Sequence, residues 1–274
     1  MPEGPEVKKI AHTLNLSLKN NCLGEIWLSG LKLRKEINTT MLKSRQNITV
    51  TSVDCYGKVL FIHTHEQPIL MAQMGMTGQL IIEDQRALLK PHTHVRWQIK
   101  NTSKELRYID IRRFGLIDSC DEAKKAQILS KLGPDPFNLD KAGVAKITNS
   151  FKKSAKSIKE VLLDQKVLVG VGNIYASEAL FNSHINPYAK ACDLSTVQAK
   201  KLIDSVISIL KKAFLNGGTT FSDYVDGDNK KGKNQQFLQV FKREQEPCFI
   251  CHTNILRIKQ SGRSTFFCPS CQEL

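Results

Sequence analysis

The chain has 274 residues, with 40 Lys and Arg against 26 Asp and Glu, for a formal net charge of +14. A hydrophobic content of 41% excludes a disordered polypeptide, and no apolar run is long enough to span a bilayer. The positive excess points to a polyanionic partner, nucleic acid ahead of an acidic membrane surface.

The N-terminus reads MPEGPEVKKIAHTLNLSL, with Pro2 and Pro5 framing a turn. Val7, Ile10, Ala11, Leu14 and Leu18 then fall on one helical face. Glu3 and Glu6 occupy the start and no apolar core follows, so nothing reads as a signal peptide and an intracellular protein is expected. Cys22, Cys55, Cys120 and Cys192 are scattered, as reduced thiols of such a protein would be. Met before Pro favours removal of the initiator. Pro2 would then carry a secondary amine that is nucleophilic near neutral pH, with Glu3 beside it as a proton donor. On this stretch alone, a plain helix start, with Pro2 opening it and Glu3 favouring its dipole, is the stronger reading.

Residues 23 to 120 change character. Short runs rich in β-branched and aromatic residues, punctuated by Gly, Asn and Pro, predict a sandwich or barrel. Lys58 sits in a YGK turn, either as a solvated lysine or as a functional cation. Met74 and Met76 flank Gly75; a Met there packs in a core or wedges between bases. Arg112, Arg113 and Phe114 put two cations and a ring in three residues, for phosphate contact with stacking or for a strand-end salt bridge.

LGPDPF, at Leu132 to Phe137, breaks the pattern and reads as a linker. Beyond this linker the chain turns helical. VLVGVGNIY only superficially resembles a dinucleotide fingerprint: Tyr175 holds the third glycine position and no βαβ unit surrounds it, so no nucleotide cofactor is expected. Two helices meeting at a glycine turn suggest instead a helix-turn-helix-like element, with Gly170, Gly172 and Asn173 turned to a phosphate. Ser195 and Gln198 form a capping box ahead of a long amphipathic helix that ends at Gly217 and Gly218. Residues 222 to 236 are polar and glycine-bearing and read as a mobile loop, a candidate lid.

The last stretch holds two Cys-x-x-Cys pairs, Cys248/Cys251 and Cys268/Cys271, separated by a short hairpin. This is the spacing of one tetrahedral structural Zn2+ site rather than of a disulfide pair. The segment is too short to bury a core, so the metal would supply much of its folding free energy. The tip, SGRST, would hold Arg263 out towards a phosphate.

PEGPEV, YGK, MGMTG, DIRRFG, LGPDP, LLDQ…GVGNIYASEALF, GGTT and the cysteine hairpin, in this order, resemble the formamidopyrimidine-DNA glycosylase and endonuclease VIII family of base-excision repair enzymes. The resemblance runs over essentially the whole chain. It implies an α+β fold: an N-terminal β-sandwich flanked by helices, then a helical domain with a helix-two-turn-helix and a zinc-ribbon β-hairpin. The corresponding divisions are 1–131 for the catalytic sandwich, 132–150 for a linker and first helix, 151–245 for the DNA-binding helices and 246–274 for the zinc finger.

The resemblance reverses the reading of Pro2. By it the proline amine attacks C1′ of the damaged nucleotide and expels the base, and Glu3 supplies the proton that opens the sugar. β- and δ-elimination complete the reaction. Lys58 and Arg263 match residues that grip phosphates and donate protons in the eliminations. Glu6 matches a pocket carboxylate. Met76, Arg112 and Phe114 match residues that fill the gap left by the extruded nucleotide, and His92, Lys159 and Asn173 match backbone contacts. The implied partner is damaged DNA, duplex or single-stranded, bound by a monomer without any membrane. Gly4, LLDQ and CPSCQ resemble the endonuclease VIII branch, which favours oxidised pyrimidines. MGMTG, DIRRFG and GGTT resemble the formamidopyrimidine branch, which favours oxidised purines. The residues nearest the nucleophile and the zinc tip tilt the expectation to oxidised pyrimidines and ring-opened purines. The alternatives are an 8-oxoguanine-preferring enzyme and a catalytically silent zinc-containing DNA-binding protein on the same fold.

Overall fold

A computed structural model of the chain describes residues 2–43, 47–65 and 69–273. The chain divides into two compact units, one of residues 1–130 with 214–235 and the other of 131–213 with 236–274.

The first unit opens with α1 (Gly4–Leu18), which starts at Glu3 because a capping box closes there: the Glu3 side chain accepts from the backbone of Glu6, and the Glu6 carboxylate accepts from the Glu3 N–H at 2.9 Å. Its apolar face, Val7, Ile10, Ala11, Leu14 and Leu18, is buried as the spacing predicts. Then come β1 (Cys22–Leu28), a short helix α2 (Thr39–Lys43), β2 (Ile48–Tyr56), β3 (Val59–Thr64), β4 (Ile69–Gln73), β5 (Gln79–Asp84), β6 (Thr93–Ile99), β7 (Lys104–Ile109) and β8 (Leu116–Cys120).

Every pairing is antiparallel, in the order β5-β7-β6-β1-β2-β3-β4-β8. Only Cys22 with Thr49 and Leu23 with Ile48 join β1 to β2, so the strands form two four-stranded layers. Leu80, Val95, Trp97 and Leu106 of one layer and Val50, Leu60, Ile62 and Leu70 of the other meet the α1 stripe in one core. This is the expected sandwich. Helix α3 (Glu122–Ser130) covers the outside of the second layer with Ile128 and Leu129 over Phe61 and Met71.

Residues 214–235 correct the division drawn from sequence, which put them with the second half. They form a strap held by the first unit. The Thr219 N–H donates to Glu6 at 2.8 Å, Gly227 N–H to the Thr13 hydroxyl at 2.9 Å, and the Asn229 amide to Glu83 at 2.8 Å. Val225 packs on Ile81 and Ile109, and Tyr224 joins the sandwich core. The segment is thus a bonded strap where a free loop was expected.

The second unit holds α4 (Lys141–Lys152), α5 (Ile158–Leu163), α6 (Asn173–Ser183) and all but the last two residues of α7 (Thr196–Leu215), around a core that includes Ile147, Phe151, Leu162, Tyr175, Leu180, Leu202 and Val206. Ser195 and Gln198 cap α7 reciprocally, at 2.9 and 3.2 Å. Strands β9 (Leu256–Gln260) and β10 (Arg263–Phe267) form the C-terminal hairpin, seated through Phe266 and Ile255 on Phe181 of α6. Glu178, buried in α6, accepts the consecutive backbone N–H groups of Gln239, Val240 and Phe241 at 2.8 to 2.9 Å, which fixes the chain entering the hairpin. Among the described residues no helix is long and apolar enough to cross a membrane.

Candidate active site

In the first unit, Pro2 is buried immediately before α1, and the carboxylates of Glu3 and Glu6 are 2% and 1% exposed. Two carboxyl groups can be held so deeply because the first turn of a helix offers unpaired N–H groups for them to accept. Glu6 uses both oxygens, Oε2 on Glu3 N–H and Oε1 on Thr219 N–H. It therefore ties the helix start to the strap. Gly218 makes this approach possible: its φ is +86°, and a Cβ there would lie 2.8 Å from the Tyr224 ring and 3.0 Å from Glu6 Cγ. Burial, with Glu6 and then Asp226 nearby, pushes the Tyr224 phenol well above its ordinary range, so it stays a neutral donor, to Gly217 O at 2.9 Å. Met1, whose removal the amine chemistry requires, lies outside the described residues.

Lys58 is half-buried in the β2–β3 turn after Gly57, whose φ is +57°. Met76, 39% exposed, tops the β4–β5 turn. Met74 is core, as one reading of that pair had it. Arg112 lies over the Phe114 ring with its guanidinium carbon 4.7 Å from the centroid, a cation–π contact. His92 is exposed with φ +63°, and its carbonyl accepts the Asp110 N–H at 3.0 Å, next to the Arg112 loop.

In the second unit, Arg263 is exposed at the start of β10. With Ser261, Glu160, Lys156 and Asp164 it lines a groove of about 480 Å³. The hairpin tip is clamped: Asn173 Nδ2 donates to Ser264 O at 2.8 Å, and Lys159 Nζ to the same oxygen at 3.1 Å and to the Thr265 hydroxyl. Lys159 is 1% exposed. Where the sequence reading expected a DNA-backbone contact, the ammonium is bonded to the hairpin. Gly170 is likewise not turned to a phosphate, because its N–H donates to Gln165 Oε1 at 2.9 Å. Sequence reasoning missed Arg34, Thr77, Thr219 and Tyr224. GGTT hinted at Thr219 and MGMTG at Thr77; nothing marked the other two.

The sulfurs of Cys248, Cys251, Cys268 and Cys271 lie within 4.8 Å of one another. Cys251 and Cys268 stand 3.3 Å apart and Cys248 and Cys271 3.9 Å. A tetrahedron with Zn–S of about 2.3 Å has edges of about 3.8 Å, so the set fits one zinc ion. Backbone N–H groups of Ile250 and Cys271 point at Cys248 and Cys268 sulfurs, each at 3.4 Å, as thiolates need. Hydrogen bonds from Thr253 bring the Cys251 thiol down to about 6. Four protein thiolates fill a tetrahedral shell and leave no open position, which is the make-up of a structural site.

The formamidopyrimidine-DNA glycosylase N-terminal domain matches residues 1–117, the formamidopyrimidine-DNA glycosylase H2TH domain residues 132–225, and the zinc finger found in FPG and IleRS residues 245–274. Formamidopyrimidine-DNA glycosylase of Rickettsia bellii is 34% identical over 274 residues, all of both chains. That of Cytobacillus firmus is 34% identical over 280 residues, 99% of this chain and 100% of its own. Among solved structures, a Lactococcus lactis Fpg mutant with Fapy-dG-containing DNA is 29% identical, covers 100% of both chains and has a TM-score of 0.89. The wild-type L. lactis enzyme with oxidised-pyrimidine-containing DNA gives 29%, the same coverage and 0.88. Fold, zinc hairpin and full-length similarity together define a base-excision DNA glycosylase. The chain belongs to the formamidopyrimidine-DNA glycosylase family. It is a bifunctional glycosylase and AP lyase that works on damaged DNA and carries one structural zinc ion.

Proposed function

We propose that this enzyme excises ring-opened purines and 8-oxoguanine from duplex DNA, with oxidised pyrimidines as slower substrates, and then cuts the abasic site by β,δ-elimination. The observation that carries this reading is the end-to-end similarity to Fpg bound to Fapy-dG-containing DNA. It turns the preference away from the endonuclease VIII branch suggested by Gly4, LLDQ and CPSCQ. The oxidised-pyrimidine complex of the same L. lactis enzyme supports keeping pyrimidine lesions as a second class.

In this mechanism the Pro2 nitrogen, freed by loss of Met1, attacks C1′ while Glu3 protonates the opening sugar. The base leaves, and the iminium acidifies the 2′ hydrogens so that the 3′ and then the 5′ phosphate depart. Lys58 and Arg263 grip the flanking phosphates and supply protons to the eliminations. His92 and Asn173 bind the backbone, and Lys159 acts through the hairpin. Met76, Arg112 and Phe114 fill the gap opposite the extruded nucleotide. The enzyme works wherever the cell keeps its DNA.

Single-turnover rates on matched duplexes test the preference. Formamidopyrimidine and 8-oxoguanine are expected to be released faster than thymine glycol and 5-hydroxyuracil. A pyrimidine lesion faster than both purine lesions restores the endonuclease VIII assignment.

A further inference from the structure

Three side chains that project from two separate loops must act on one gap in the duplex, and the structure shows how the loops are joined. The first loop, residues 74–78, carries Met76; the second, 110–115, carries Arg112 and Phe114. Between them sits Thr77. Its hydroxyl donates to Asp110 Oδ1 at 2.6 Å and accepts the Arg112 N–H at 3.0 Å. Asp110, fully buried, accepts the Gly115 N–H on its other oxygen at 2.8 Å, so one carboxylate spans both ends of the second loop and the tip of the first. Arg34 braces the pair from outside. Its Nε donates to Phe114 O at 2.9 Å, its Nη1 to Gln73 Oε1 at 3.1 Å, and its backbone N–H to Gly115 O at 3.1 Å. The backbones are in contact as well: a Cβ on Gly75 would lie 2.6 Å from the Phe114 carbonyl carbon.

We propose that Thr77, Asp110 and Arg34 are positioning residues that weld the Met76 loop and the Arg112–Phe114 loop into a single rigid wedge, so that the three gap-filling groups enter the duplex together. The proposal rests on the reading of Met76, Arg112 and Phe114 as gap fillers. Its physical basis is that separately hinged loops would each lose freedom on entering the stack, whereas a wedge already rigid in the free enzyme loses little. The bonds to Asp110 are the best protected of the set, because its carboxyl is fully shielded from water. Arg34 is exposed, so it adds stiffness at little cost to folding when removed.

The test uses Thr77→Val and Arg34→Ala, with Thr77→Ser as the conservative control and thermal unfolding to confirm an intact fold. Asp110 is left alone because loss of a buried carboxylate acceptor risks unfolding the unit. The readout is the ratio of two rates: excision of 8-oxoguanine from a duplex, which needs the gap filled, and cutting of a single-stranded abasic oligonucleotide, which has no opposing strand. The ratio is expected to fall on the order of tenfold or more in Thr77→Val and Arg34→Ala, the scale of one or two lost hydrogen bonds expressed in the transition state, and to recover in Thr77→Ser. A 2-aminopurine opposite the lesion should report one insertion step in the wild type and two resolved steps in Thr77→Val. If both variants keep the wild-type ratio and a single step while Met76→Ala lowers the ratio, the weld is overturned and the gap-filling reading stands. If Met76→Ala and Phe114→Ala leave the ratio unchanged, the gap-filling reading itself fails and takes the weld with it.

Discussion

Glu3 has two tasks that one substitution separates. Its carboxylate caps the first turn of α1, and it is buried at the nitrogen proposed to attack the sugar. A glutamine keeps an acceptor oxygen for the cap but has no carboxyl proton to give. Glu3→Gln should therefore fold normally and lose base excision by about a hundredfold or more, the usual contribution of a positioned general acid. At a pre-formed abasic site no base remains to expel. There, borohydride should still trap the variant as a covalent protein–DNA adduct, and a tag ahead of Pro2 should abolish trapping while leaving binding. An adduct that survives the blocked terminus sinks the amine mechanism and makes Lys58 the next amine to test. Glu3 and its neighbour Glu6 were readable as acids from sequence. That Glu6 reaches the strap at Thr219 was not, since those residues are 213 positions apart and neither has a periodic pattern that implies the other.

The hairpin β9–β10 is an element with almost no core of its own; Leu256 is exposed and Ile255, Phe266 and Cys268 share one small cluster with Phe181. Zinc must therefore hold it. Cys268→Ser is expected to drop metal content from one zinc per chain to near none, loosen the tip and abolish duplex cutting, while the sandwich unit keeps its near-ultraviolet signature. Full cutting by zinc-free protein contradicts this. The tip has a second tether. Glu160 accepts from Ser261, and hydrogen bonds from Ser157 and Ser261 hold its carboxyl below the ordinary glutamate range. A depressed folded value means that this tether is present above the ordinary range and is lost as pH falls through the depressed one. The Gly262 amide resonance should accordingly titrate below the free glutamate range, about 4.3, and stop titrating in Glu160→Gln. A midpoint at or above that range contradicts the tether. At this scale the sequence was most informative where a pattern is local. The α1 stripe, the Ser195 box and the cysteine pairs each declare themselves within a few residues. The strap did not, because its polar, glycine-bearing composition is that of a free loop, and the bonds that fix it go to Thr13 and Glu83, far away in the chain. Arg34 was equally silent: an exposed arginine acquires meaning only once folding brings Gln73 and Phe114 to it.

At the scale of the whole molecule the chain crosses between its units more than once, since residues 214–235 return to the first unit before the chain completes the second. A cut at the linker would thus strip the sandwich of the strap that satisfies Glu6, and neither unit is a simple N- or C-terminal half. Charge is the property the units share. The net +14 is spread over both, and a cation proposed to meet phosphates stands in each, Lys58 in one and Arg263 in the other. Binding that rests on such contacts is driven by counterion release, so the logarithm of the association constant should fall linearly with the logarithm of salt concentration. For undamaged duplexes of different sequence the slope should be the same, because phosphates carry no sequence information. Each cation that meets a phosphate contributes about 0.9 to that slope on duplex DNA. Arg263→Ala should remove about one unit and Lys58→Ala another, whereas Lys159→Ala, whose ammonium is buried on Ser264 and Thr265, should weaken cutting without changing the slope by a full unit. Fluorescence anisotropy titrations between low and moderate salt measure all three. An association constant flat in salt defeats the electrostatic account, and a full unit lost in Lys159→Ala returns that lysine to the DNA backbone.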